Sequence, residues 1–116
     1  MIYLASPYTH PDPLEMQYRF HQVCNACAYL MSLGKVVYSP IAHNHYLAQN
    51  FSLPHDWNFW QNFDCHMIDR ADEVWVFTID GWHKSAGVQA EIIYAINAGK
   101  PVVYFEFDGV PGGQNN

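Results

Sequence analysis

The run Val74-Trp75-Val76-Phe77-Thr78-Ile79 constrains the fold more than any other stretch of this chain. A strand with so little polar alternation has to be covered on both faces, as a central strand of a parallel sheet is. Three shorter runs accompany it: Ile2 to Ala5, closed by Ser6-Pro7; Lys35 to Tyr38, closed by Ser39-Pro40; and Val102 to Phe107, entered through the turn Gly99-Lys100-Pro101. Helix-length segments separate them. The first opens at Pro11-Asp12-Pro13, with Asp12 as N-cap and Pro13 in the first helical position. Met16, Phe20, Val23, Cys27 and Leu30 give it one apolar stripe, and Gly34 ends it where a left-handed residue is wanted. A second helix is expected from about Asp56 to Ala71, and a third, capped by Ser85, to about Ala98. Residues 41 to 55, rich in His and Asn, read as irregular, and residues 80 to 84 as a loop.

The order β-α-β-α-β-α-β predicts an α/β fold, a doubly wound (Rossmann/flavodoxin-like) parallel sheet of about four to five strands with helices on both faces. With 116 residues, positions 1–116 fit one domain. Half the residues are hydrophobic and only 14% are charged, which suits a chain that hides part of its surface as a homodimer or larger homo-oligomer. The tail from Gly109 to Asn116 reads as frayed or used in such contacts. A net charge of −6 argues against duplex nucleic acid as a partner. A single nucleotide needs only backbone N–H groups and a hydroxyl for its phosphate. Three cysteines make no disulfide framework and suit a reducing compartment. The first apolar run is too short for a signal peptide, and no segment approaches the roughly 20 apolar residues of a membrane span. The expected location is cytoplasmic.

In an open parallel sheet, ligands bind beyond the carboxyl ends of the strands. That selects Ser6 to His10, Ser39 to His45 and Asp80 to Ser85. Glu91 follows Gly87 on a stripe of small residues, with Ala95 and Ala98 beyond it. Small neighbours allow close approach to the sheet, so Glu91 is expected to be partly enclosed, two turns from a helix N-terminus that favours its anion. An enclosed carboxylate at a cleft suits nucleophilic attack on a sugar anomeric carbon; a surface Glu complementing the helix start is the equal alternative. Asp64 lies between Trp60 and Ile68 on the apolar face of its helix, where an acid is informative, although a structural bond to backbone N–H explains it too. Ser85 and Gly87 open the third helix beside Lys84 and are placed to hold a phosphate, or Ser85 only caps. Among Trp57, Trp60, Trp75 and Trp82, the loop residue Trp82 is best placed to stack on a base. His43-Asn44-His45 has metal-like residues without motif spacing, so no metal or cofactor is expected. Cys24 and Cys27 sit mid-helix as core.

These residues resemble the nucleoside 2-deoxyribosyltransferase superfamily. Its opening strand is similar to Ile2-Tyr3-Leu4-Ala5-Ser6-Pro7, and its catalytic segment to Gly87-Val88-Gln89-Ala90-Glu91 leading to Ala98-Gly99-Lys100-Pro101. The Asp64 to Asp72 stretch resembles its Asp-containing helix, so the likeness covers almost the whole chain. The resemblance implies that Glu91 is the nucleophile of a glycosyl-enzyme intermediate, that Tyr3 orients it, and that Asp64 contacts a sugar hydroxyl or handles protons. Six residues before the Glu, transferases of the superfamily commonly carry Asp, and the 2′-deoxynucleoside 5′-phosphate N-hydrolases carry a Ser that contacts the phosphate. Ser85 therefore implies a nucleoside or nucleoside 5′-monophosphate as the small-molecule partner. The competing expectations are a non-catalytic nucleotide sensor on the same fold and, further off, a metal hydrolase using His43 and His45.

Overall fold

The computed structural model describes residues 1–54 and 56–108. Strands β1 (Ile2–Ala5), β2 (Val37–Tyr38), β3 (Glu73–Phe77) and β4 (Val102–Phe105) alternate with helices α1 (Pro13–Ser32), α2 (Pro40–Asn50), α3 (Trp57–Arg70) and α4 (Ala86–Asn97). All strand pairings are parallel, in the order β2-β1-β3-β4. This is the doubly wound, Rossmann-like arrangement expected from the sequence. The tail from Gly109 to Asn116 lies outside the described residues.

Strand alternation sorts the core into two layers. Tyr3, Ala5, Val74 and Val76 face one way, where they meet Ile68 of α3 and Val88, Ile92 and Ala95 of α4. Leu4 and Phe77 face the other way, against Val23, Ala26 and Cys27 of α1, with Ile41 and Ala42 of α2 packed alongside. Both faces of β1 and β3 are thus covered, which is why neither shows a polar period. The chain passes from β1 to β2 on one side and reaches β3 on the other, so the strand order reverses between β1 and β3. A crevice is left there, beyond their carboxyl ends.

One expectation fails. Residues 41–55 are not irregular throughout: Pro40–Asn50 form α2. Ser39 is its N-cap, its Oγ accepting the Ala42 N–H at 3.0 Å, and Pro40 occupies the first turn. The Ser-Pro that ends β2 therefore starts a helix, because its missing N–H is one the first turn leaves unpaired in any case. The strands are also shorter than the apolar runs. Ile79, Glu106 and Phe107 fall outside β3 and β4. At the end of α1, Gly34 takes φ +83°, the left-handed position foreseen for it. Among the described residues, no helix is long and apolar enough to cross a membrane.

The small-residue stripe of α4 runs through Gly87, Glu91 and Ala95, and stops before the exposed Ala98. Ala95 is fully buried against the sheet. Ala95→Leu is expected to lower stability by about 1–3 kcal/mol, because a close-packed layer has no room for three more carbons. Urea unfolding measures this, and an unchanged midpoint would show that α4 is not held so close.

Candidate active site

Three elements deliver three polar side chains to one buried point. Tyr3 lies in β1 with its ring wholly enclosed, and its hydroxyl donates to Oε2 of Glu91 at 2.6 Å. Glu91 sits on the sheet-facing side of α4 at 5% exposure, and Asp64 on that of α3 at 6%. The two carboxyls lie within hydrogen-bonding reach of each other, and Asp64 also reaches the Tyr3 hydroxyl. Tyr38 of β2, paired in register with Tyr3, stands near both acids.

Burial governs the charge state. It pushes Glu91 well above the ordinary carboxylate range, and the neighbouring Asp64 charge adds to that, while the Tyr3 hydrogen bond opposes it. Asp64 is pushed up to about 6, again by burial first, with the bonds to Glu91 and Tyr3 pulling back. Two carboxyls this close cannot both ionise at low cost, so near neutrality the pair shares one proton and titrates as a unit. Burial draws the proton towards Glu91, and Tyr3 draws the negative charge there.

The acids form the floor of a cavity of about 370 Å³ at the β1–β3 crevice. Of the other residues singled out in the sequence, Ser6, Lys84, Ser85 and Gly87 line it as well. Ser85 caps α4, accepting the Val88 N–H at 3.2 Å, so the start of that helix opens onto the cavity. The start of α2 does the same through Pro40 and Ile41. Among the described residues, Ser6 Oγ and Asp64 Oδ1 are buried with no hydrogen-bond partner. Buried polar atoms are rarely left so.

Trp82 is not brought to this place. It begins a single 3₁₀ turn, Trp82–Lys84, packs on the α3–α4 side of the core, and meets Tyr104 at 5.4 Å between ring centroids. Trp57 and Trp60 line the cavity instead. Their spacing from Asp64 carried the signal: positions 57, 60 and 64 lie on one helical face. Tyr8 and His45 of the opposite wall lie in segments that the sequence selects, but their pairing with each other is not legible there. Gln49 donates to the Tyr8 hydroxyl at 3.1 Å, Tyr8 meets His45 Nδ1 at 2.7 Å, and His45 Nε2 meets Gln17 Oε1 at 3.2 Å. Both ring nitrogens of His45 are thus engaged by neighbouring side chains, which leaves neither for a metal. His45 also stacks on Phe20 at 4.0 Å, whereas the exposed His43 turns to Asn44. The two histidines diverge. Among the described residues, no group of three or more His, Cys, Asp or Glu is placed to hold a metal ion.

Over residues 1–107 the chain matches the family described as Domain of unknown function (DUF1937). The chain belongs to that family. No curated protein matches its sequence.

The shared proton has a consequence for stability. A carboxyl with a higher pKa in the fold than in the unfolded chain favours folding while protonated, and that contribution is lost as the pH rises. For Asp64, moving from 3.8 to about 6, the loss falls between pH 4 and 7 and is on the order of 3 kcal/mol. Asp64→Asn carries no charge and is expected to lack this slope, gaining on the wild type as pH increases. Parallel stability curves for the two proteins in urea titrations at stepped pH would contradict the buried pair.

Proposed function

We propose that this DUF1937 domain cleaves the N-glycosidic bond of a nucleoside or (deoxy)nucleoside 5′-monophosphate, with Glu91 as nucleophile. The observation that carries the reading is the buried Tyr3–Glu91–Asp64 cluster beneath a cavity whose only unpartnered buried side-chain oxygens, among the described residues, are Ser6 Oγ and Asp64 Oδ1. A pair of carboxyls holding one proton supplies both an anion and a proton store. The unpartnered oxygens suit the hydroxyls of a sugar. The cavity also falls within the size range of small-molecule sites, roughly 300–1,000 Å³.

In this mechanism the cluster's proton rests on Asp64 as the substrate binds, and Glu91 carries the charge. The positive charge that develops at C1′ as the glycosidic bond weakens favours that distribution. Glu91 attacks C1′ from the face opposite the base, and the C1′–N bond breaks with its electron pair passing to the base. The departing base takes up a proton from water. Water, or a second nucleobase, then attacks C1′ of the glycosyl ester and releases the Glu91 carboxylate, the attacking group losing its proton. Tyr3 holds Oε2 throughout, keeping the other oxygen aimed at the sugar. A 5′-phosphate would lie at the start of α4, against the N–H groups following Ser85, with Lys84 nearby.

The elevated pKa of Glu91 favours one second reading. A neutral Glu91 is a hydrogen-bond donor and not a nucleophile, as would suit a nucleotide sensor on the same fold. Chromatography of base released from a panel of deoxynucleosides and their 5′-monophosphates separates the two. Release by the wild type and none by Glu91→Ala, with the fold intact by circular dichroism, is the expected result; full activity in that variant removes Glu91 from the chemistry. Binding without release from any substrate leaves the sensor. Ser85→Ala is expected to weaken monophosphates about tenfold and nucleosides far less, the loss of one charge-assisted bond. Equal weakening of both would withdraw the phosphate from the proposal.

A further inference from the structure

The wall that α3 gives the cavity has its own chemistry. Trp57 and Trp60 are half-buried and line it, one helical turn and more above Asp64. Trp60 is fixed in place: its Nε1 donates to the Pro54 carbonyl at 2.6 Å, and its ring meets Phe59 at 4.8 Å and Phe63 at 5.4 Å. A locked indole offers a flat apolar face with little entropy left to lose on stacking. Asp56 also lines the cavity, at the first position before α3. Aspartate there normally accepts from the helix's own N–H groups, yet the Asp56 side chain makes no such bond. An exposed carboxylate beside two indoles repels a phosphate and accepts N–H groups.

We propose that Trp57, Trp60 and Asp56 form the nucleobase subsite, and that Asp56 selects a purine presenting two adjacent N–H donors, as the N1–H and 2-amino group of guanine do. The assignment rests on the N-glycosidase reading for its orientation, since it places the anomeric carbon at Glu91 and Asp64. Asp56 stands eight residues before Asp64 on α3, about 12 Å of helical rise, so this one helix can meet a nucleoside both at its sugar and at its base. A carboxylate takes two parallel N–H bonds from such an edge as it does from a guanidinium. The cavity is then polarised, with N–H groups and Lys84 at the α4 end and a carboxylate with aromatic faces at the α3 end, so a nucleotide has one favoured orientation.

Calorimetric titration of Glu91→Gln protein, in which no turnover consumes the ligand, tests this with 2′-deoxyguanosine and 2′-deoxyinosine. The two differ only in the 2-amino group. Deoxyguanosine is expected to bind about tenfold more tightly, and adding Asp56→Asn is expected to erase that preference. Adding Trp60→Leu is expected to weaken both nucleosides alike, by tenfold or more. Equal affinities at the outset, or a preference that survives Asp56→Asn, would overturn the assignment. Failure of the N-glycosidase reading looks different: wild-type protein releases no base from either nucleoside while the Asp56-dependent preference persists, which leaves the subsite standing as a base-recognition site.

Discussion

Two carboxyls buried in contact, with a tyrosine hydroxyl bonded to one of them, set the terms for the rest of this domain. Removing a carboxylate from water costs several kcal/mol unless hydrogen bonds or a proton replace the lost hydration. Here both devices operate. Tyr3 supplies the hydrogen bond, and the buried pair keeps a proton that either acid would release near neutrality in water. The cluster can exist only because β1 carries a tyrosine on its α3–α4 face and because both helices lie close to the sheet there. Ala95 and Val88 on α4, and Ile68 and Ala71 at the end of α3, provide that approach. The apolar layer that stabilises the fold therefore also holds the acids largely out of solvent.

Much of this was legible in the chain. The apolar runs, the capping residues Asp12 and Ser85, and the left-handed Gly34 each have a local physical cause, and local causes survive in sequence. Glu91 was legible for a related reason: its small-residue neighbours on α4 imply a helix pressed against the sheet. What sequence reasoning missed depended on tertiary rotation. Ser39-Pro40 was read as a stop when the same pair is also a helix start, and nothing local decides between an ended strand and a strand followed at once by a helix. Trp82 was favoured as a stacking residue because it follows β3, but the 3₁₀ turn folds its ring back onto Tyr104. Trp57 and Trp60 carried the usable signal in their phase with Asp64. Reading it required knowing that Asp64 faces a cavity and not merely the core.

The two helix starts that open on the cavity give the site a polarity that its side chains extend. Each contributes unpaired N–H groups and partial positive charge, and each is capped by a serine that leaves room in front of it. The acids lie deeper, at the strand ends. An anionic group near the helix starts would be attracted by the N–H groups and repelled by the acids below, and so held at the rim. A neutral sugar can descend to Ser6 and Asp64. This ordering, anion at the rim and polyol at the floor, follows from the placement of charge.

Whether such a floor performs chemistry or only binds turns on where one proton resides. With the proton on Glu91, the cluster is a neutral acid beside a carboxylate on Asp64, a good receptor for hydroxyl groups. With the proton on Asp64, Glu91 is an anion steadied by Tyr3 and pointed into the cavity. Full burial favours the first state for the empty site, because Glu91 is the more deeply enclosed of the two. A ligand that brings positive charge towards Glu91 favours the second, and an oxocarbenium-like sugar is such a ligand. The energetic gap between the states has only to be smaller than the electrostatic gain at the transition state. The arrangement thus penalises an anionic Glu91 in the resting protein; under the proposed N-glycosidase reading, that penalty would be relieved as positive charge develops at C1′, the differential stabilisation that catalysis requires.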